Sequence, residues 1–148
     1  MFLVGCVQSV AGEPPLVRSG EVDLSGWRFV EQGPVALNGE WGFYWRRFLA
    51  PGEGGVREGR PPAFVRVPGH WTGQYGAASV AEVRGYATYT LRVRLSGSAP
   101  ERLALRLPEV YSAYRLWVNG TEQAHIGTVG RDPEATKPGR GGRQFTFP

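Results

Sequence analysis

His70 and His125, one cysteine at position 6 and 13 acidic residues are the groups in this chain able to hold a metal or move a proton. Neither histidine stands at a metal-ligand spacing from another histidine, cysteine or carboxylate. Glu109 and Glu122 flank the stretch around Trp117, yet a glycosidase needs two carboxyl groups at a set distance across the scissile bond, and spacing along the chain does not supply that distance. No nucleophile motif is present, and no Gly-x-Gly-x-x-Gly opens a helix to cradle phosphate. The inventory points to a binding domain and not to an enzyme, with no cofactor and no metal.

Binding chemistry is better represented. Trp71, Tyr75, Tyr111, Tyr114 and Trp117 are aromatic, and His70 and Arg115 stand beside members of that set. Stacked rings next to polar donors are how concave sites hold sugars and other amphipathic ligands, although large aromatics also fill the cores of small β-sandwiches. Tyr111 follows the Pro108-Glu109-Val110 stretch, and Trp71 lies in the glycine-rich Gly69-His70-Trp71-Thr72-Gly73-Gln74-Tyr75-Gly76 segment. Core packing explains these two least. The candidate ligand site is therefore His70, Trp71, Tyr75, Tyr111, Arg115 and Trp117.

The net charge of +4 is carried by scattered arginines, Lys137 being the only lysine. Without a basic stripe or a recognisable motif, this charge gives no indication of nucleic acid as a partner. Arg92, Arg94, Arg106 and Arg115 all fall on the outward-alternating positions of expected strands. Cross-strand pairing with acids or a solvated face is the first expectation for them, and a basic face meeting an anion the second. Gly139-Arg140-Gly141-Gly142-Arg143 reads as a flexible solvated loop.

The elements that must position these residues are strands. With 22 Gly, 12 Pro and short runs of Trp, Tyr, Phe and Val, the 148 residues read as one all-β domain of sandwich type. Glu40 to Trp45 places Trp41, Phe43 and Trp45 on one face. Phe64 to Val67 is a short strand stopped by Pro68. Tyr86 to Leu95 alternates as a single half-buried strand of an antiparallel sheet. Leu103 to Leu107 repeats the pattern until Pro108 ends it. Leu116-Trp117-Val118 runs into Asn119-Gly120, whose readiness for positive φ suits a two-residue hairpin. A polar loop is expected from Thr128 to Gly142, then a strand from Gln144 to Phe147. Because the chain stops in that strand pattern, a sandwich lacking its last strands is expected.

Residues 1–22 read as a signal-peptide remnant and linker, with the domain over 23–148. Leu3-Val4-Gly5-Cys6 resembles a lipobox, which implies lipidation at Cys6, and Ser9-Val10-Ala11 offers an ordinary signal-peptidase spacing. Export to the extracytoplasmic side is the expectation. No run approaches the ~20 apolar residues that span a bilayer.

Asp23-Leu24-Ser25-Gly26-Trp27, Leu37-Asn38-Gly39-Glu40-Trp41-Gly42-Phe43-Tyr44-Trp45, Val67-Pro68-Gly69-His70-Trp71, Gly85-Tyr86-Ala87-Thr88-Tyr89 and Tyr111 to Gly120 follow one another in an order and spacing that resembles the N-terminal extracytoplasmic domain of bacterial seven-transmembrane receptors with diverse intracellular signalling modules. The resemblance implies a galactose-binding-like jelly roll that senses a carbohydrate-like ligand, its partner being the downstream transmembrane signalling region. More loosely, Leu-Asn-Gly-Glu-Trp, Val-Pro-Gly-His-Trp and Leu-Trp-Val-Asn-Gly look like the non-catalytic sugar-binding domain of family 2 glycoside hydrolases. A third expectation is a purely structural protein-interaction sandwich.

Overall fold

The computed structural model describes residues 13–49, 51, 61–71, 73–74, 84–97 and 99–147. Cys6, the Ser9-Val10-Ala11 step and Tyr75 lie outside the described residues. The fold is all-β and sandwich-like, as expected, with one four-residue helical turn. Its elements are β1 (Glu21–Leu24), α1 (Phe29–Gln32), β2 (Gly39–Trp45), β3 (Ala63–Val67), β4 (Ala87–Thr90), β5 (Arg92–Leu95), β6 (Leu103–Val110), β7 (Tyr114–Val118), β8 (Thr121–Ile126) and β9 (Gly141–Phe147). They form a three-stranded antiparallel sheet in the order β3-β2-β4, a parallel pair β1-β5, and the antiparallel pairs β6-β9 and β7-β8.

β2 is the centre. Its alternation of Trp41, Phe43 and Trp45 satisfies the pleat, and both of its edges are bonded: Trp41 faces Val65 across β3, and Phe43 faces Ala63 on one side and Tyr89 on the other. The Phe43 ring lies 6.1 Å from Trp45 in a stacked arrangement and 5.1 Å from Tyr89 edge-on. Phe43, Tyr44 and Val65 are buried here. Burial pushes the Tyr89 hydroxyl from its ordinary 10.0 up to about 12.

Below this sheet, Val17, Val22 and Leu24 form a buried cluster against Trp27, Phe29, Val35, Leu37, Trp41 and Leu91. The domain therefore includes residues before the boundary expected at Asp23. Val17 donates its N–H to Asn38 O at 3.1 Å and accepts from Glu40 N–H at 3.0 Å, which stitches this segment to the start of β2. Gly39 permits the approach: it sits at φ +137°, and a Cβ there would fall 2.2 Å from Val17 O. The Gly, Pro and Glu residues around Val17 and Val22 make the segment look like a linker, but two well-placed apolar side chains are enough to anchor it.

The run from Tyr86 to Leu95 is not one antiparallel strand. β4 bonds to β2, the Leu91 side chain turns into the apolar cluster, and β5 then pairs in parallel with β1 from Glu21↔Arg92 to Leu24↔Leu95. A chain passing from one sheet to another at a bend is how sandwich corners are made. The inward row expected through Val93 and Leu95 ends at Leu91, and both later residues are exposed.

The Asn119-Gly120 hairpin forms as expected, with φ of 50° and 85° joining Val118 to Thr121. Pro108 does not end β6. Pairing with β9 runs to Leu107↔Arg143, skips, and resumes at Val110↔Gly141.

Replacing Val17 by alanine is expected to lower unfolding free energy by about 1–3 kcal/mol in urea, because the residue is only 2% exposed. Leu16→Ala, at 58% exposure, should change it by no more than about 0.5 kcal/mol. Equal effects would place Val17 outside the fold. Since Tyr89 is raised when folded, its contribution is intact below pH 10 and disappears as pH climbs toward about 12. Tyr89→Phe should flatten that part of the alkaline stability profile.

Candidate functional site

The bulge in β6 builds the site. Pro108 has no N–H for the ladder, so Pro108 and Glu109 stand out from the strand opposite the single residue Gly142. The strands come so close there that a Cβ on Gly142 would lie 2.9 Å from Leu107 O and 3.1 Å from Glu109 N. Glycine at 142 thus lets the bulge close, and the bulge turns Glu109 toward the loop that precedes β9.

Arg140, in that loop, donates from Nε to Glu109 Oε1 at 2.8 Å and from Nη2 to Oε2 at 3.4 Å. Tyr111 Oη donates to the same Glu109 Oε2 at 2.8 Å. The Arg140 guanidinium carbon lies 4.9 Å from the Tyr111 ring centre, within cation–π range. Three side chains therefore hold each other: the guanidinium fork fixes the carboxylate, the carboxylate fixes the phenol, and the ring carries the cation. Tyr111 is nevertheless 70% exposed, so much of its ring faces solvent. The hydrogen bonds from Arg140 and then from Tyr111 hold the Glu109 carboxyl below the usual 4.5.

Beside this triad lies a shallow cleft of about 270 Å³, formed by Arg106 to Glu109 of β6 and Gly142 to Gln144 of β9. Its size is near the lower end of small-ligand pockets. An exposed ring held in place, with a carboxylate and a guanidinium at its edge, can stack on an apolar sugar face and exchange hydrogen bonds with hydroxyls. Both Glu109 oxygens accept hydrogen bonds from these neighbours.

The other expected site residues among those described fall elsewhere. Trp71 is half-buried, its ring 5.5 Å from Trp45, so it borders the β2 packing. His70 is exposed in a turn that Gln74 closes: Gln74 Nε2 donates to His70 O at 2.6 Å, and Gln74 Oε1 accepts from Arg66 N–H at 2.6 Å. Arg115 and Trp117 stand on β7, where Arg115 Nε lies 4.0 Å from Glu122 Oε2, and His125 Nδ1 lies 2.9 Å from Glu122 Oε1. Of the described members of the set, only Tyr111 belongs to the triad.

Glu109 and Arg140 complete the triad, and neither was among the site residues expected from the sequence. Arg140 was expected in a flexible loop that ran on through Arg143, yet β9 begins at Gly141. Ahead of it, the Thr128–Lys137 bridge and the hydrogen bonds that Asp132 accepts from Ala135 N–H and the Thr136 hydroxyl hold the loop in shape. A proline inside an alternating run, answered by a Gly-Gly pair in another strand, is the sequence signal for such a bulge.

Among the outward arginines, Arg92 and Arg94 straddle Glu21 at 3.0 and 3.3 Å, and Arg115 approaches Glu122, which is the cross-strand pairing expected. These pairs are exposed and each worth at most ~1 kcal/mol.

Because the Glu109 carboxyl is depressed, the triad should be intact above the ordinary 4.5 and come apart as pH falls below it. The Arg140 Nε–H chemical shift in NMR should keep its hydrogen-bonded value at pH 4.5, move to that of a free arginine on further acidification, and lie at the free value throughout in Glu109→Gln. A signal unchanged in that variant would show that Glu109 does not hold Arg140. Neither protein-family models nor curated proteins nor solved structures gave a match to this chain, so the chemistry of this site is read from its own residues.

Proposed function

We propose that this chain is the extracytoplasmic ligand-sensing domain of a bacterial membrane signalling receptor, a galactose-binding-like jelly roll that binds a carbohydrate-like small molecule. The observation that carries the binding part is the exposed Tyr111 ring, fixed by Arg140 and by Glu109, which itself lines the β6-β9 cleft. The motif order from Asp23 to Gly120, which resembles the receptor domains, supports the receptor part.

In this reading a pyranose stacks on Tyr111 while Arg140 and Glu109 engage its hydroxyls. The aromatic platform is already oriented, so little side-chain entropy is lost on binding. Occupancy passes to a downstream transmembrane region by favouring one docking geometry of the domain, to the extent that the ligand prefers one of the two states. The exposed Val93 and Leu95 of β5 support a second reading, a protein-interaction sandwich in which this apolar strip is the contact.

Titration with mono- and disaccharides, followed by NMR, should shift the resonances of Tyr111 and of residues 106–109 and 142–144. Tyr111→Ala should weaken binding about three- to tenfold with the thermal midpoint nearly unchanged. Absence of any shift at millimolar sugar, or shifts confined to β5, would reject the saccharide site and favour the interaction reading.

A further inference from the structure

We infer that the edge of β5 away from β1 receives an extended segment of another protein as an added antiparallel strand, one whose sequence alternates apolar and acidic residues. This inference rests on the interaction reading above and adds the geometry and the chemistry of the partner.

Arg92 donates its N–H to Gly20 O at 2.8 Å, and the parallel register continues to Leu24↔Leu95. Backbone groups alternate sides along a strand, so Arg92 and Arg94 turn theirs to β1 while Val93 and Leu95 turn theirs away. β1 is the one neighbour of β5 among the described residues, which leaves the N–H and C=O groups of Val93 and Leu95 in a row on the far edge. A row of this kind is what an added strand bonds to.

The side chains agree with the backbone. Val93 and Leu95 pair with Val22 and Leu24 and so share their face of the sheet, yet they are 37% and 40% exposed against 3% for each β1 partner. The apolar face is thus covered over β1 and open over β5, and an incoming strand sets its own apolar residues beside Val93 and Leu95.

The opposite face specifies the charge. Arg92 and Arg94 share the single carboxylate of Glu21, at 3.0 and 3.3 Å, while Asp23, opposite Arg94, accepts from Ser25 N–H at 2.8 Å. Each guanidinium has more donors than it uses there. A second copy is disfavoured, because antiparallel self-pairing that matches apolar with apolar sets Arg94 against Arg94 or Arg92, and like charges directly opposite destabilise a ladder. Acids have the reverse effect. A partner reading apolar-acidic-apolar-acidic places its residues in turn opposite Leu95, Arg94, Val93 and Arg92.

The test uses the 148-residue chain and four capped peptides: Thr-Val-Glu-Val-Glu-Thr, its lysine counterpart Thr-Val-Lys-Val-Lys-Thr, the reordered Thr-Val-Val-Glu-Glu-Thr, and the first peptide with both valine nitrogens methylated. Without peptide, the Val93 and Leu95 amide protons should exchange with solvent faster than those of Arg92 and Arg94. The alternating acidic peptide should slow them and bind on the order of tenfold more tightly than the lysine and reordered peptides, with the lysine gap narrowing in salt. Methylation, which removes only donors that face β5, should abolish binding, and Arg94→Glu should turn the preference toward the lysine peptide. Lysine and acidic peptides binding equally overturns the partner class. Equal binding of the methylated or reordered peptide at Val93 and Leu95 overturns strand addition and leaves the apolar contact standing, whereas binding of none of the four overturns both. Slowing of the Val93 and Leu95 amides that grows with protein concentration assigns the edge to a second copy and also overturns the inference.

Discussion

Backbone pairing along both edges of β2 is the constraint on which the described structure rests. A strand bonded on one side only would leave a row of polar groups to water or to another chain. Gly39–Trp45 has β3 on one edge and β4 on the other, and its start is also bonded to Val17. Phe43 can then be fully buried, since its backbone groups are satisfied and its ring meets Trp45 and Tyr89. The same strand carries Trp41 to the Val17, Val22 and Leu24 cluster, so one element joins both packed regions.

Packing is uneven beyond this centre. All the fully buried apolar residues among those described lie between Val17 and Val65, while β6 to β9 present rows that are half-covered: Leu103, Leu105 and Leu107 on β6 face Phe147, Phe145 and Arg143 on β9. A ladder of this kind is held by its hydrogen bonds and cross-strand pairs more than by a deep core. That suits a binding surface, because the bulge can deform the pleat locally without opening a packed interior.

The triad in this part of the chain follows from backbone irregularity. Regular pairing past Leu107 would have left Glu109 on the half-covered face of Leu105 and Leu107. The absent N–H of Pro108 and the absent side chain of Gly142 instead bring Glu109 to Arg140, and Tyr111 is fixed as a consequence. Electrostatics along the strands are settled in pairs: Glu21 and Glu122 hold the arginines around them, and Glu109 holds Arg140.

Local patterns by themselves determined the all-β class, the aromatic row of β2, the stop of β3 at Pro68 and the Asn119-Gly120 hairpin. Each is set by the two-residue pleat or by the φ that a given residue tolerates, which neighbours in sequence reveal. Tyr111 was also visible, as an aromatic that core packing did not explain. The membership of Val17 in the core, the exchange of sheets at Leu91 and the partnership of Glu109 with Arg140 were decided by the tertiary structure. Alternation across Leu91 is the same whether the strand continues or changes sheet, and Glu109 and Arg140 are separated by 31 residues. Which distant segments meet depends on strand order and on the bulge that sets the register, and neither is encoded in a local period.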